Sequence, residues 1–285
     1  MIRFMSLAIA VVDLLLCKCT HYFGKTKRKR VFFLIFVISL YLCAMEIHPI
    51  AHFESPLTSK FGIPRQSGLV KSLTGRIVFE PPFRKPEAVR GLEDFDYLWL
   101  IWEFSENREG DKGLTVRPPR LGGNRRLGVF ATRSPFRPNN LGLSCVRLSR
   151  VEIDPQLGPV IWVQGADLMN GTPIYDVKPY VAYADAHPDA RSGFVDTVEW
   201  EPLEVILPDD LAALVPAEHL DALKDTLAQD PRPRYHDDPG RVYGMPFLDF
   251  DVRFKVSDRK LTVVEIVTSP RRDDLSKGIS SSRGR

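Results

Sequence analysis

The body of this chain has almost no cysteine. Of four cysteines in 285 residues, Cys17, Cys19 and Cys43 fall within the first 44, leaving Cys145 alone in the rest. A lone thiol cannot close an internal disulfide, so packing must hold the body together, which fits a reducing compartment. Cys17-Lys-Cys19 with His21 is too sparse for a zinc set. His48 and His52 stand four apart on a strand-like stretch, where they do not converge, and His187, His219 and His236 are isolated, so no metal is expected. No G-x-G occurs, which excludes the dinucleotide and methyltransferase fingerprint of doubly wound folds. Also missing are a Walker A sequence, an internal repeat, and a serine or cysteine with a readable base partner. Charge of one sign is scarce too. Lys and Arg number 39 against 36 Asp and Glu. Residues 1–44 carry seven basic residues and one acidic one, so the remaining 32 basic and 35 acidic residues sum to −3. Any nucleic-acid contact must therefore be a local patch.

Such a patch is present. From Arg117 to Arg150 there are eight arginines and no Lys, Asp or Glu. A solvated face mixes signs, whereas arginine alone suits planar, bidentate contact with phosphate or carboxylate. Inside this run, Arg133 to Leu148 reads RSPFRPNNLGLSCVRL. Pro135 and Pro138 forbid helix and central strand. Asn139 and Asn140 favour turns. Leu143, Val146 and Leu148 then resume an apolar pattern. The expected arrangement is a strand over Leu127–Ala131, a rigid loop bearing Arg133, Ser134, Arg137 and Asn139, and a second strand.

Residues 1–44 differ from the rest. Two apolar stretches of 14 residues, Phe4–Cys17 and Val31–Ala44, flank the cluster Lys25–Arg30. Each is short of the roughly 20 residues a bilayer span needs. Three readings stay open: a membrane-associated leader, a degenerate targeting segment, and an upstream extension with Met45 as the true start. The last is preferred, since Glu46-Ile-His-Pro-Ile50 opens a strand cleanly.

Short strands separated by Gly/Pro turns follow: Ile47–Phe53, Thr74–Glu80, the aromatic run Phe95–Phe104, a hairpin about Asp154–Gly158, and Ile174–Tyr183. This pattern predicts an all-β sandwich or barrel. Pro86–Leu92 suggests a short helix. Residues 207–229 are helical in pattern, started by Pro208-Asp-Asp210 and broken at Pro216. Phe247–Val256 and Lys260–Val267 form a hairpin about Ser257–Arg259. The fold class is thus mainly β, an antiparallel single-sheet barrel followed by a small α+β domain. The expected division is leader 1–44, barrel 45–195, α+β unit 196–270 and a disordered tail 271–285.

Turns at strand ends supply the candidate site: Gln66-Ser67-Gly68, Ser105-Glu106, Arg133 to Asn139, and Asp167 to Pro173. Each alone is ordinary, yet together they could crowd one rim of a barrel, where ligands bind. Asp167 and Glu106 would complement a cation, and Arg133 a carboxylate. Leu227 to Tyr235 joins a helix end, a Pro-stiffened loop, Arg232, Arg234 and an aromatic ring, which suits single-stranded nucleic acid.

Four motifs carry a family resemblance: Thr115–Gly123, Gly128–Asn139, Gly171–Tyr180 and Ala228–Pro233. Together they resemble the TrmO (TsaA-like) tRNA methyltransferases, in order, over roughly residues 47–270. The resemblance implies a barrel that binds S-adenosylmethionine without a Rossmann fold. It also implies methylation of N6 of N6-threonylcarbamoyladenosine at position 37 of tRNA, beside the anticodon, by a cytoplasmic homodimer. Carried over by motif, the cofactor contacts would be Gln66, Ser67, Gly68, Ser105, Glu106, Arg133, Leu143, Asp167, Leu168, Met169 and Asn170. From the chemistry of the step, Asp167 or a group of the substrate would take the proton from N6, and Arg117, Arg120, Arg137, Arg232, Arg234 and Tyr235 would contact tRNA. Asn170 and Asn140 depart from the family pattern, which has Asp and Pro there. A non-catalytic barrel binding a small ligand or tRNA is the alternative function.

Overall fold

A computed structural model describes residues 46–107, 113–118, 121, 125–197, 200–232 and 238–268. The leader 1–44, Met45, the tail 271–285 and, of the expected tRNA contacts, Arg120, Arg234 and Tyr235 lie outside the described residues.

Six strands close into an antiparallel barrel: β1 (Ala51–Glu54), β2 (Thr74–Phe79), β3 (Tyr97–Glu103), β6 (Leu141–Asp154), β7 (Gly158–Gln164) and β8 (Thr172–Pro179), in the order β1-β2-β7-β6-β3-β8. A two-stranded ribbon of β4 (Thr115–Val116) and β5 (Leu127–Gly128) branches from the long connection between β3 and β6. Strand alternation fills the barrel, with Leu98, Leu100 and Trp102 pointing inward from β3 and Tyr97, Trp99 and Ile101 outward. Phe53, Ile77, Val146, Ile161, Val163, Leu168 and Ile174 complete its core. Closure removes every free edge from this sheet.

Several expected strands have different limits. The first begins at Ala51 rather than Ile47, because Pro49 has no N–H for the ladder. The run Leu127–Ala131 is only two strand residues followed by a 3-10 turn over Val129–Ala131. Val129 is buried and its N–H donates to the Leu114 carbonyl, while Phe130 stays exposed. Pro86–Leu92 holds a 3-10 turn over Pro86–Val89 rather than an α-helix. Conversely, β6 merges the strand expected after the Pro-rich loop and the first arm of the hairpin expected about Asp154–Gly158 into one 14-residue strand, bent by a register shift between Leu148 and Arg150.

The C-terminal sheet has the order β10 (Tyr243–Phe247), β11 (Phe250–Ser257), β12 (Lys260–Thr268) and β9 (Glu204–Ile206), with the β12–β9 pair parallel. A turn at Leu248, which has φ 52°, separates β10 from β11 inside the expected strand Phe247–Val256. The helix Ala217–Ala228 packs Ala222, Leu223 and Leu227 against this sheet, and Pro216 separates it from the single turn Asp209–Ala212.

From His48 onward the described residues form one compact unit. Its second core is not built from the C-terminal segment alone. Leu57, Val70 and Leu73, from the loop between β1 and β2, are fully or nearly fully buried among Leu223, Met245, Phe247 and Phe254, with Phe61 and Ile63 packed beside them. Burying such a side chain contributes about 1.5–3 kcal/mol. Gly62, at φ 98°, sits so close to Met245 that a Cβ there would stand 2.5 Å from the sulfur.

Candidate functional site

Strand register gathers the functional turns. Glu54 pairs with Arg76, Thr74 with Gln164, Glu103 with Leu141, and Phe53 with Thr172. The connections 55–73, 104–140 and 165–171 therefore all leave the same end of the barrel. Hydrogen bonds tie them into one rim. Gly68 N–H donates to the Gly165 carbonyl at 2.7 Å, and Asn170 N–H to the Leu57 carbonyl at 2.8 Å. Lys60 Nζ donates to the Glu106 carbonyl. Asn107 Nδ2 donates to the Pro135 carbonyl at 2.7 Å. Gly68 has φ 80°, a backbone state that glycine alone adopts readily.

Four of the expected residues, Gln66, Ser67, Arg133 and Asp167, meet at the centre of this rim. Arg133 Nη1 donates to Gln66 Oε1, while Gln66 Nε2 donates to the Arg65 carbonyl at 2.6 Å. Asp167 accepts from Ser144 Oγ at 2.5 Å and from the Ser67 backbone N–H. Burial pushes the Asp167 carboxyl above its ordinary range, and those donors with the Arg133 guanidinium draw it partly back. An acceptor-rich acid and an exposed guanidinium thus share one small region.

The other expected residues lie around this centre in different ways. Leu168 is fully buried in the barrel core, so it can offer a ligand only its backbone. Met169 uses its carbonyl to accept from the Thr172 N–H and hydroxyl. Asn170 Oδ1 accepts from Ser55 N–H at 3.1 Å, a bond that an aspartate oxygen could equally accept. Ser105 and Glu106 are exposed on the adjoining turn. Leu143 is 58 % exposed and faces outward, between the inward-facing Gly142 and Ser144.

Among the expected tRNA contacts, Arg117 is exposed. Arg137 folds back, donating to the Thr132 carbonyl at 3.0 Å and the Ser134 carbonyl at 3.4 Å, so its guanidinium braces its own loop. Arg232 forms a two-pronged pair with Asp230 at 2.8 and 3.1 Å. It borders a cavity of about 520 Å³ that includes Trp200, Glu201, Ser257 and Arg259, within the C-terminal unit. Sequence reading missed Ser144 and Trp102. Ser144 could have been noticed as the polar residue on the inward register of β6, between Gly142 and Val146.

The N-terminal domain model of tRNA-methyltransferase O matches residues 52–186, and the C-terminal domain model of the same family matches 201–269. The chain belongs to the TrmO family. Its relatives include a putative S-adenosylmethionine-dependent methyltransferase of Pseudomonas aeruginosa, 42 % identical over 73 % of this chain and 91 % of the relative. A tRNA (adenine(37)-N6)-methyltransferase of Escherichia coli is 38 % identical over 76 % of this chain and 95 % of its own length. A crystal structure of TrmO from Pseudomonas aeruginosa superposes with TM-score 0.64 at 32 % identity, covering 79 % of this chain and 99 % of that one. The mainly β fold and the lack of a dinucleotide fingerprint agree with this TrmO membership.

The rim also fits a TrmO methyl donor on chemical grounds. Arg133 suits the carboxylate of an amino-acid moiety, Asp167 suits the sulfonium or ammonium, and Gln66 with the backbone of 66–68 offers neutral polar contacts. Among the described residues no group of three or more His, Cys, Asp or Glu is disposed to hold a metal ion. No described helix is long and apolar enough to cross a membrane.

Proposed function

We propose that this chain transfers a methyl group from S-adenosylmethionine to N6 of adenine 37 in tRNA, on the N6-threonylcarbamoyl form of that base. Similarity over 76 % of this chain, and 95 % of the relative, to a named tRNA (adenine(37)-N6)-methyltransferase is the observation that carries the reading. The joining of Gln66, Ser67, Arg133 and Asp167 on one rim supports the choice of site.

When bound, the sulfonium cofactor supplies an activated methyl group, which leaves a thioether behind. The residues of this chain do the remaining work. Gln66, Ser67, Gly68 and Arg133, with the backbone of Leu168 and Met169, would hold and orient the donor. Asp167 would take the proton that N6 must lose, or balance the cationic donor, because an acid raised by burial is closer to a useful base at neutral pH. The carbamoyl substituent acidifies N6 and eases that step. Positioning supplies the larger share of the acceleration.

The anticodon loop would approach across the exposed arginines of the rim, and Arg232 would contact RNA from the C-terminal unit. Exposed apolar side chains at Leu114, Phe130, Phe136 and Leu143 support association of two copies. We read the enzyme as cytoplasmic from the tRNA substrate. Incubating the full chain with labelled S-adenosylmethionine and tRNA bearing threonylcarbamoyladenosine should give methylated nucleoside, and unmodified tRNA should give far less. Absence of methyl incorporation, with tRNA binding retained, would favour a non-catalytic binding module.

A further inference from the structure

On the inward register of β6 a buried hydroxyl stands between a glycine and a valine. Gly142, Ser144 and Val146 point inward from β6, and Ser144 is 1 % exposed. Trp102 Nε1 donates to Ser144 Oγ at 2.9 Å, and Ser144 Oγ donates to Asp167 Oδ1 at 2.5 Å. The direction of this chain is fixed by chemistry. An indole N–H can only donate, so it occupies a lone pair of the hydroxyl. The single hydroxyl proton is then left for the carboxylate.

Trp102 is held in place by its neighbours. Register sets it opposite Gly142, where a Cβ would stand 2.3 Å from the indole ring. The Phe104 ring packs edge-on against it, with ring centroids 4.3 Å apart. Both strands are locked by the β3–β6 ladder. Gly142 makes room for the indole, the indole sets the hydroxyl, and the hydroxyl sets the acid.

We propose that Trp102 and Ser144 are positioning residues for methyl transfer, forming a one-way hydrogen-bond chain that orients Asp167 and keeps its inner oxygen unprotonated. This inference rests on the role given to Asp167 above. While the serine proton points at Oδ1, as it does for the ionised acid, the next proton Asp167 gains goes to the other oxygen. The charged group set against Asp167 is Arg133, and the Ser67 and Asp167 backbone N–H groups complete its surroundings. Burial raises the acid, and Ser144 is the largest of the influences that lower it again. Removing the hydroxyl therefore moves the titration of Asp167 upward.

The test measures single-turnover methyl transfer to threonylcarbamoyl-bearing tRNA from acid to alkaline pH. It uses the full chain as wild type, Ser144→Ala, Trp102→Phe, Asp167→Asn and the Ser144→Ala/Asp167→Asn double variant. In Ser144→Ala the acid limb should move up by about one pH unit, the scale of one hydrogen bond to a charged group. The rate should drop about tenfold below that limb and recover to within about twofold on the alkaline plateau. Trp102→Phe should shift the limb the same way by less, and gives a second reading if Ser144→Ala does not fold. The double variant should be no slower than Asp167→Asn, since Ser144 acts only through that acid. A loss in Ser144→Ala that is the same at every pH, or additive with Asp167→Asn, overturns the proposal and leaves the role of Asp167 standing. A wild-type rate and profile in Asp167→Asn overturns both.

Discussion

Replacing Arg133 by alanine tests the donor site most directly. Its side chain is exposed and, among the described residues, hydrogen-bonds to the Gln66 side chain. The cost to the fold should stay within about 0.5 kcal/mol, as for other surface positions. The cost to the ligand is larger. A hydrogen bond to a charged group contributes about 1.5–3 kcal/mol. The open rim favours the lower half of that range, or about ten- to fortyfold in affinity. Removing the guanidinium also lets the Asp167 carboxyl rise further, because Arg133 is one of the groups holding it down. Titration calorimetry should therefore be run at alkaline pH, where Asp167 is ionised in both proteins. Two ligands separate the contributions: S-adenosylmethionine and its decarboxylated analogue. Arg133→Ala should weaken the first and leave the second unchanged, and Arg133→Lys should restore part of the loss. Equal losses for both ligands, or none for either, would refute the assignment of Arg133 to the carboxylate.

Other perturbations report on neighbouring features. Met245→Ala should cost about 2–5 kcal/mol as a fully buried methionine. It should also weaken donor binding, because Gly62 and the loop leading to Gln66 pack on Met245; a lower melting temperature with unchanged donor affinity would disprove that link. Asp167→Asn should become stabilising relative to wild type as pH rises. The folded acid is raised, so its contribution is favourable at low pH and is lost as pH climbs through the folded value. Melting curves at acid and alkaline pH that show a constant difference would contradict this sign. Arg117→Ala should lower the slope of log affinity for tRNA against log salt by about 0.7–0.9, one phosphate contact, with sequence preference unchanged.

Much of this architecture could be read from residue order because turn chemistry is local. Pro135, Pro138, Asn139 and Asn140 marked the rigid loop, and Pro216 marked the helix break, through constraints each residue carries by itself. The rim was legible for the same reason, as a set of turns at strand ends. What escaped depends on pairing across distance. Trp102 and Ser144 are 42 positions apart, and only the β3–β6 register joins them. The inward side of β6 was readable from alternation, but the identity of the facing residue was not. Arg137 looked available for RNA, yet the bend made by Pro135 and Pro138 returns its guanidinium to its own carbonyls. Leu57, Val70 and Leu73 looked like ordinary loop residues, because nothing nearby in the chain indicates that their partners come from positions 215 to 266.

That borrowed core has a consequence for how the molecule is made. A ribosome delivers all six barrel strands by Pro179, and the barrel can close while the C-terminal strands are still unsynthesised. The segment carrying Gln66, Ser67 and Gly68 must wait, its leucines exposed to water, until β10 to β12 emerge. The nascent protein thus can have a finished cylinder before it has a finished rim, and premature termination in the last quarter of translation would leave the 66–68 segment without its packing partners.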